Sequence, residues 1–250
     1  MTVNLQDVNE FSPVFGDGDT ATATPNENQQ AVGTYAATDA DGSATQTYSI
    51  LTAAQNAASV DHDLFSVASG GVLTFQASPN YESAGCGSGD DSNTCAVVIQ
   101  VTDGANTDTI TVTVTVQDLN DETPAFTSSG TPSINENVRN VLTLAASDTD
   151  AGDSATFAIT GGAASELFEL DGGTTLRFAA AAGANYESPG DAGTNNEYVV
   201  VVTATDTGAN AVAQTITITI QDVNEFSPEF GDGDTATATP NENQQAVGTY

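Results

Sequence analysis

The 250-residue chain is 38% hydrophobic and sets 34 acidic residues against two basic ones, Arg139 and Arg177, for a formal net charge of −32. Such a field repels phosphate backbones and anionic lipid, which excludes nucleic-acid binding and makes cations the natural partners. No apolar run approaches the roughly 18 residues of a membrane span, so no membrane insertion is expected within it. Periodic strand patterns set it apart from a disordered acidic tail.

A ten-residue phrase appears three times, as QDVNEFSPVF from Gln6, QDLNDETPAF from Gln117 and QDVNEFSPEF from Gln221. The third copy continues into GDGDTATATPNENQQAVGTY over 231–250, identical to 16–35. Recurrence at this spacing is the mark of domain-sized repeats. The expected division is the end of a preceding repeat at 1–10, a domain at 11–117, a linker at 118–122, a domain at 123–221, and a linker with the start of a third domain at 222–250, a slice of a longer array. Residues 8–117 carry thirteen acids and residues 118–221 fourteen, so both domains must tolerate the charge.

In chain order, strands are expected near 21–24, 32–37, 46–51, 64–67, 72–76, 96–102 and 109–116, then near 132–134, 141–146, 156–160, 167–170, 175–178, 198–203 and 215–220. The run from Thr109 to Val116 alternates strictly, placing Ile110, Val112, Val114 and Val116 on one face and threonines on the other; 215–220 repeats it. Phe65, Phe75, Phe168 and Phe178 fall at alternating positions that suit a core. The alanine runs at 53–58 and 179–184 read as loop or a single helical turn. Seven short strands per hundred residues without a helix-length pattern predict an all-β chain of tandem seven-stranded Greek-key β-sandwiches.

Cys86 and Cys95 are the only cysteines. They suit either a disulfide closing a small Gly/Ser/Asp loop in an oxidising compartment or a pair of free thiols, and the disulfide is expected. His62, the single histidine, lies beside Asp61 and Asp63 with no nucleophile set in view, so a surface turn is expected and not catalysis. Asp17 and Asp19 begin an EF-hand-like phrase, but its twelfth position is Asn28 instead of glutamate, which leaves a solvated turn.

Oxygen donors recur in the same order in each domain. The first has Glu27, Asp39, Asp41, Glu82 and Asp103, followed by Asp118, Asn120 and Asp121; the second has Glu136, Asp148, Asp150, Glu187 and Asp206, followed by Asp222, Asn224 and Glu225. Twelve residues separate Glu27 from Asp39, and also Glu136 from Asp148. Strand ends of a sandwich collect at its two poles, so Glu27, Glu82, Asp118, Asp121, Asp148, Asp150 and Asp206 are expected to converge around 118–122. Seven like charges would repel by many kcal/mol even when screened. Calcium, which accepts six to eight oxygens in irregular geometry, suits the mixture better than magnesium, and about three ions would nearly balance it.

The chain resembles tandem extracellular cadherin repeats, specifically the cadherin-like repeats of large bacterial surface proteins. The linker phrase D-x-N-D-x-x-P-x-F runs from Asp118 to Phe126, the P-E-N phrase appears as NEN at 26–28 and 135–137, and D-x-D appears at Asp39/Asp41 and Asp148/Asp150. The resemblance implies calcium at the inter-domain junctions, a stiffened string of sandwiches outside the cell, and adhesion. It further implies that Glu27 and Glu82 bind from above, Asp118 and Asp121 from the linker, and Asp148, Asp150 and Asp206 from below. Asn120 would give its side-chain oxygen, and Leu119 and Glu122 their carbonyls. At the first linker Asn9 and Glu10 would join Asp39, Asp41 and Asp103 as a lower half-site, while Glu136, Glu187, Asp222, Asn224 and Glu225 would form an upper half-site. Asn80 and Asn185 stand where the family has an aspartate, Glu10 and Glu225 replace the second linker aspartate, and the absence of tryptophan leaves no support for strand-swapping adhesion.

The reading is a non-enzymatic, calcium-binding segment of a cell-surface or secreted adhesin, with another surface protein, or the same protein on a neighbouring cell, as partner. A spacer of a secreted enzyme and a passive acidic stalk are the alternatives.

Overall fold

The computed structural model describes residues 3, 8–41, 45–83, 85–86 and 93–228. The third copy of the repeated phrase from residue 229 onward and most of the loop between the cysteines lie outside them. By proximity the chain divides into two compact units: Met1–Ala125 with Ser147–Ala155 and Thr205–Val212, and Phe126–Ala146 with Thr156–Ala204 and Ala213–Tyr250. Two loops of the second repeat, those bearing Asp148–Asp153 and Asp206–Asn210, therefore belong to the first unit.

The first unit contains β1 (Val14–Phe15), β2 (Thr20–Ala23), β3 (Ala31–Thr34), β4 (Ala37–Thr38), β5 (Thr47–Ile50), β6 (Phe65–Ala68), β7 (Val72–Phe75), β8 (Thr94–Thr102) and β9 (Thr107–Thr115). Two sheets, β2-β9-β8-β5 and β3-β7-β6, face one another, and β1 pairs with β4. β8 and β9 form a hairpin registered from Thr94 opposite Thr115 to Thr102 opposite Thr107. The alternation in β9 has the expected outcome: Ile110, Val112, Val114 and Val116 are buried and the intervening threonines half-covered. β8 departs from strict alternation, because Val98 is buried together with Val97 and Ile99. The segment after β5 folds across that edge, where Ser59 Oγ accepts from the Val98 amide at 3.0 Å and Asp61 Oδ2 from the Ala96 amide at 2.7 Å. Two buried side chains thus complete a strand edge that would otherwise leave polar groups unmatched.

The second repeat supplies β10 (Ala125–Phe126), β11 (Ser133–Asn135), β12 (Asn140–Thr143), β13 (Ala146–Ser147), β14 (Thr156–Gly161), β15 (Phe168–Asp171), β16 (Thr175–Phe178), β17 (Glu197–Thr205) and β18 (Ala211–Gln221). Its sheets are β11-β18-β17-β14 and β12-β16-β15. The strand reading of the sequence stands except that the expected strands at 32–37 and 141–146 each divide in two, into 31–34 with 37–38 and 140–143 with 146–147, and short pairing segments are added at 14–15 and 125–126. The alanine runs contain no helix. Phe65 packs on Phe75 with ring centroids 4.7 Å apart, and Phe168 on Phe178 at 4.5 Å, each pair inside its own core.

Cys86 and Cys95 are bonded, with Cα atoms 4.8 Å apart and both sulfurs in the first core. In the second unit Tyr198 occupies the position of Cys95. Its ring stands edge-on to Phe178 at 5.3 Å, and its hydroxyl accepts from the Gly190 amide at 2.9 Å. An aromatic with a satisfied polar end fills the place of the staple. His62 sits in a 3₁₀ turn with Nδ1 3.0 Å from the Ser59 carbonyl, as a surface turn requires.

Candidate metal centre

The two NEN phrases are built alike. Asn28 and Asn137 take left-handed backbone, φ 60° and 58°, a conformation asparagine tolerates better than most residues. That turn aims the preceding glutamate inward. Glu27 is 1% exposed; its Oε1 accepts from the Leu119 amide at 2.9 Å and its Oε2 from the Tyr81 amide at 2.8 Å. Glu136, 2% exposed, accepts from Val223 at 2.9 Å and from Tyr186 at 2.8 Å. Each glutamate ties its repeat to the linker that follows and to the loop containing NYES. The amides of Tyr186 and Val223 hold the Glu136 carboxyl below its ordinary range.

Within the first unit carboxylates come together in three groups whose ligand atoms lie within 4.8 Å of one another: Glu27, Glu82 and Asp118; Glu82 again with Asp121 and Glu122; and Asp148, Asp150 and Asp206 with Asp153, which was not expected. Asp150 Oδ2 accepts from the Glu122 amide at 3.1 Å, Asp118 Oδ2 accepts from the Ala151 amide at 2.9 Å, and the Asn28 amide donates to Asp121. Asp206 is fixed by its own turn, accepting from the Asn210 amide at 2.7 Å and side chain at 2.8 Å. Glu122 enters with its carboxylate, where the resemblance implied its carbonyl. Leu119 enters through its amide on Glu27.

Several of these oxygens are buried and accept no hydrogen bond: both of Glu82, Asp118 Oδ1, Asp148 Oδ2 and Asp150 Oδ1. Asp150 is only 4% exposed. Burial, and then the neighbouring carboxylates, push the Glu82 and Asp150 carboxyls up. A raised acid contributes full stability below its unfolded value and loses it as pH rises through the folded one, so at neutral pH these two oppose folding until a counter-charge is present. Orphaned carboxylate oxygens beside one another have the donor chemistry of a hard cation site.

The other two expected half-sites differ. Glu136, Glu187, Asp222 and Glu225 gather within 4.8 Å in the second unit, all but Glu136 exposed; Asn224 is exposed beside them. At the first linker, Asp41 Oδ2 accepts from the Phe11 amide at 2.7 Å and Asp39 Oδ1 from the Asp41 amide at 2.8 Å. Asn9, oriented with its nitrogen toward the carboxylates, lies 3.1 Å from Asp41 Oδ2 and 3.0 Å from Asp103 Oδ2. Asp39, Asp41 and Asp103 form no group of the same closeness, and Glu10 is exposed. The Asn106 and Ala105 amides hold Asp103 below its usual range.

Asn80 and Asn185, the departures from the family phrase, each cap a turn, accepting from Ser83 and Ser188 amides at 2.7 Å. Sequence reasoning missed Asp153, Thr207 and Asn210. Asp153 was legible as a third acid in DTDAGD, and Thr207 as an extra residue in DTGAN relative to DGAN.

No family model matches the chain. Protocadherin-16 of Homo sapiens is 31% identical to it over 258 residues, covering 91% of this chain and 7% of that protein. Among solved structures, the human desmocollin-1 ectodomain aligns with a TM-score of 0.59 at 21% identity, over 88% of this chain and 44% of that one. The EC1-2 fragment of human protocadherin-24 aligns at 0.60 and 19%, over 85% and 99%. The chain thus spans about 7% of the length of the curated relative it matches. Twice-repeated linker, NEN and D-x-D phrases on β-sandwiches of this topology make the chain a tandem array of cadherin repeats.

Proposed function

We propose that this chain is a calcium-binding segment of an extracellular adhesion protein, in which cations at the linkers stiffen the array. The observation that carries the reading is the set of buried, unmatched carboxylate oxygens on Glu82, Asp118, Asp148 and Asp150. Every donor in the cluster is oxygen, and the geometry is irregular, which suits calcium. Calcium would supply counter-charge and bonds to those oxygens. Glu27 and Asp150 would hold the linker amides of Leu119 and Glu122, and Asp206 would stay aimed by the Asn210 turn. Asp118, Asp121, Asp148, Glu82 and Asn120 complete the central donor set. Glu136, Glu187, Asp222, Asn224 and Glu225 would serve as the upper half, and Asn9, Glu10, Asp39, Asp41 and Asp103 as the lower half, of other such junctions.

On this reading the repeats run over 11–117 and 123–221 with a linker at 118–122, and the partner is another surface protein or the same protein on a facing cell. The reading is non-enzymatic, since among the described residues the clustered carboxylates are accounted for as oxygen donors to a cation.

Calorimetry of the chelator-stripped chain tests the proposal. Calcium should bind in several steps and magnesium far more weakly, and Asp150→Asn should weaken the tightest step by about tenfold or more, or ~1.4 kcal/mol. Absence of calcium heat in dilute buffer would favour the passive acidic stalk.

A further inference from the structure

The linkers of this chain are not held alike. Asn120 is gripped by the loops at 147–155 and 205–212: its Nδ2 donates to Asp153 Oδ2 at 2.6 Å and to Thr207 Oγ1 at 3.0 Å. Its carbonyl and Oδ1 accept from Asn210 Nδ2 at 3.2 and 3.1 Å. Thr207 Oγ1 in turn donates to Asp153 Oδ1 at 2.7 Å, closing a ring of three side chains. Asn120 sits so close to Gly208 that a Cβ there would collide with its Oδ1 and lie 3.0 Å from its carbonyl oxygen.

The corresponding pole of the first repeat keeps Asn106 in the place of Asn210, its Nδ2 donating to the Phe11 carbonyl at 3.0 Å, but has no counterpart of Asp153 or Thr207. With Asp39 aligned on Asp148, the place of Asp153 falls on Ala44, and the turn Asp103–Asn106 is one residue shorter, without a counterpart of Thr207. Among the described residues Asn9, in the place of Asn120, faces the Asp41 and Asp103 carboxylates and the Asp103 carbonyl. A Cβ on Gly104 would meet nothing within 4 Å.

We propose that Asp153 and Thr207 are positioning residues that latch the linker at 118–122 through Asn120 without any cation, and that the linker at 8–11, which faces neither, depends on cations. The first keeps its place when cations are withdrawn, while the second does not, so the two loosen at different cation levels. The latch stands on hydrogen bonds alone; only the difference in cation demand rests on the calcium reading.

Hydrogen exchange of the whole 250-residue chain in chelator tests it. Residues 118–122 should be protected relative to residues 8–11. Thr207→Val, which keeps shape and removes the hydroxyl, should speed exchange at 118–122 by roughly 3–10-fold, and Thr207→Ser should restore it. Asp153→Ala should match Thr207→Val, with circular dichroism unchanged. Equal exchange in Thr207→Val and the parent, or failure of Thr207→Ser to restore protection, overturns the latch. In a calcium titration the midpoint at 118–122 should rise in Thr207→Val, and an unchanged midpoint overturns the difference in cation demand. If calcium alters neither segment while the chelator result holds, the latch stands and the calcium reading fails.

Discussion

Glu27 shows how one side chain can do two tasks. It is almost wholly buried, yet both of its oxygens are matched, because the Leu119 and Tyr81 amides each donate to one of them. Those bonds leave a lone pair on each oxygen for a cation. Glu27→Gln keeps the size but turns one acceptor into a donor, so one amide loses its partner. The expected cost is about 1–3 kcal/mol in chelator, read by urea unfolding. The same variant should weaken calcium binding, because a charge has left the cluster. A loss of calcium binding with unchanged stability would show that the amide clamp carries no weight.

At the scale of elements, the two repeats solve similar edges and cores with different chemistry. The first covers the β8 edge with Ser59 and Asp61. In the second, Gly162 at φ 102° passes so near the chain that a Cβ would lie 2.5 Å from the Val199 carbonyl oxygen. Glu169 on β15 gathers both basic residues of the chain, Arg177 on β16 with Nε at 2.8 Å and Arg139, just before β12, with Nη2 at 2.8 Å. The first repeat has Ser66 and Thr74 in hydrogen bond at the equivalent cross-strand pair. Such half-exposed ion pairs add little, so the charge pattern is no stability argument. The disulfide is one. Closing a nine-residue separation should contribute about 2.5 kcal/mol by restricting the unfolded chain. Reduction, or Cys86→Ser with Cys95→Ser, should lower the melting temperature of the first unit and leave the second, built around Tyr198, where it was.

For the whole molecule the dominant fact is a net charge of −32. General screening and specific ion binding predict different salt behaviour. Sodium chloride shortens the range of repulsion to about 8 Å at 0.15 M but cannot satisfy individual buried oxygens. In Thr207→Val, which lacks the latch, proteolysis near 117–124 should therefore be fast in chelator, little slowed by sodium chloride at equal ionic strength, and strongly slowed by millimolar calcium. Equal protection by both salts would reduce the acids to a screened surface. Bound calcium should also raise the unfolding free energy, by about 2.7 kcal/mol at a hundredfold excess over Kd.

Much of this was written in the residues themselves. Strict alternation in Thr109–Val116 fixed a strand and its inner face, because side chains on a strand have a period of two. The ordered acids and the equal spacing from Glu27 to Asp39 and from Glu136 to Asp148 marked the candidate donors, because an array repeats its side chains with its domains. Tertiary structure alone decided how those donors are held. No local pattern shows that Glu27 would meet the Leu119 amide, 92 positions away, or that Val98 would be buried by a loop crossing its edge. Asp153 and Thr207 leave only faint local marks, a third acid in DTDAGD and an extra residue in DTGAN, and acquire meaning where the fold brings both to Asn120. Local sequence sets which face a side chain takes; long-range packing sets which partner it finds there.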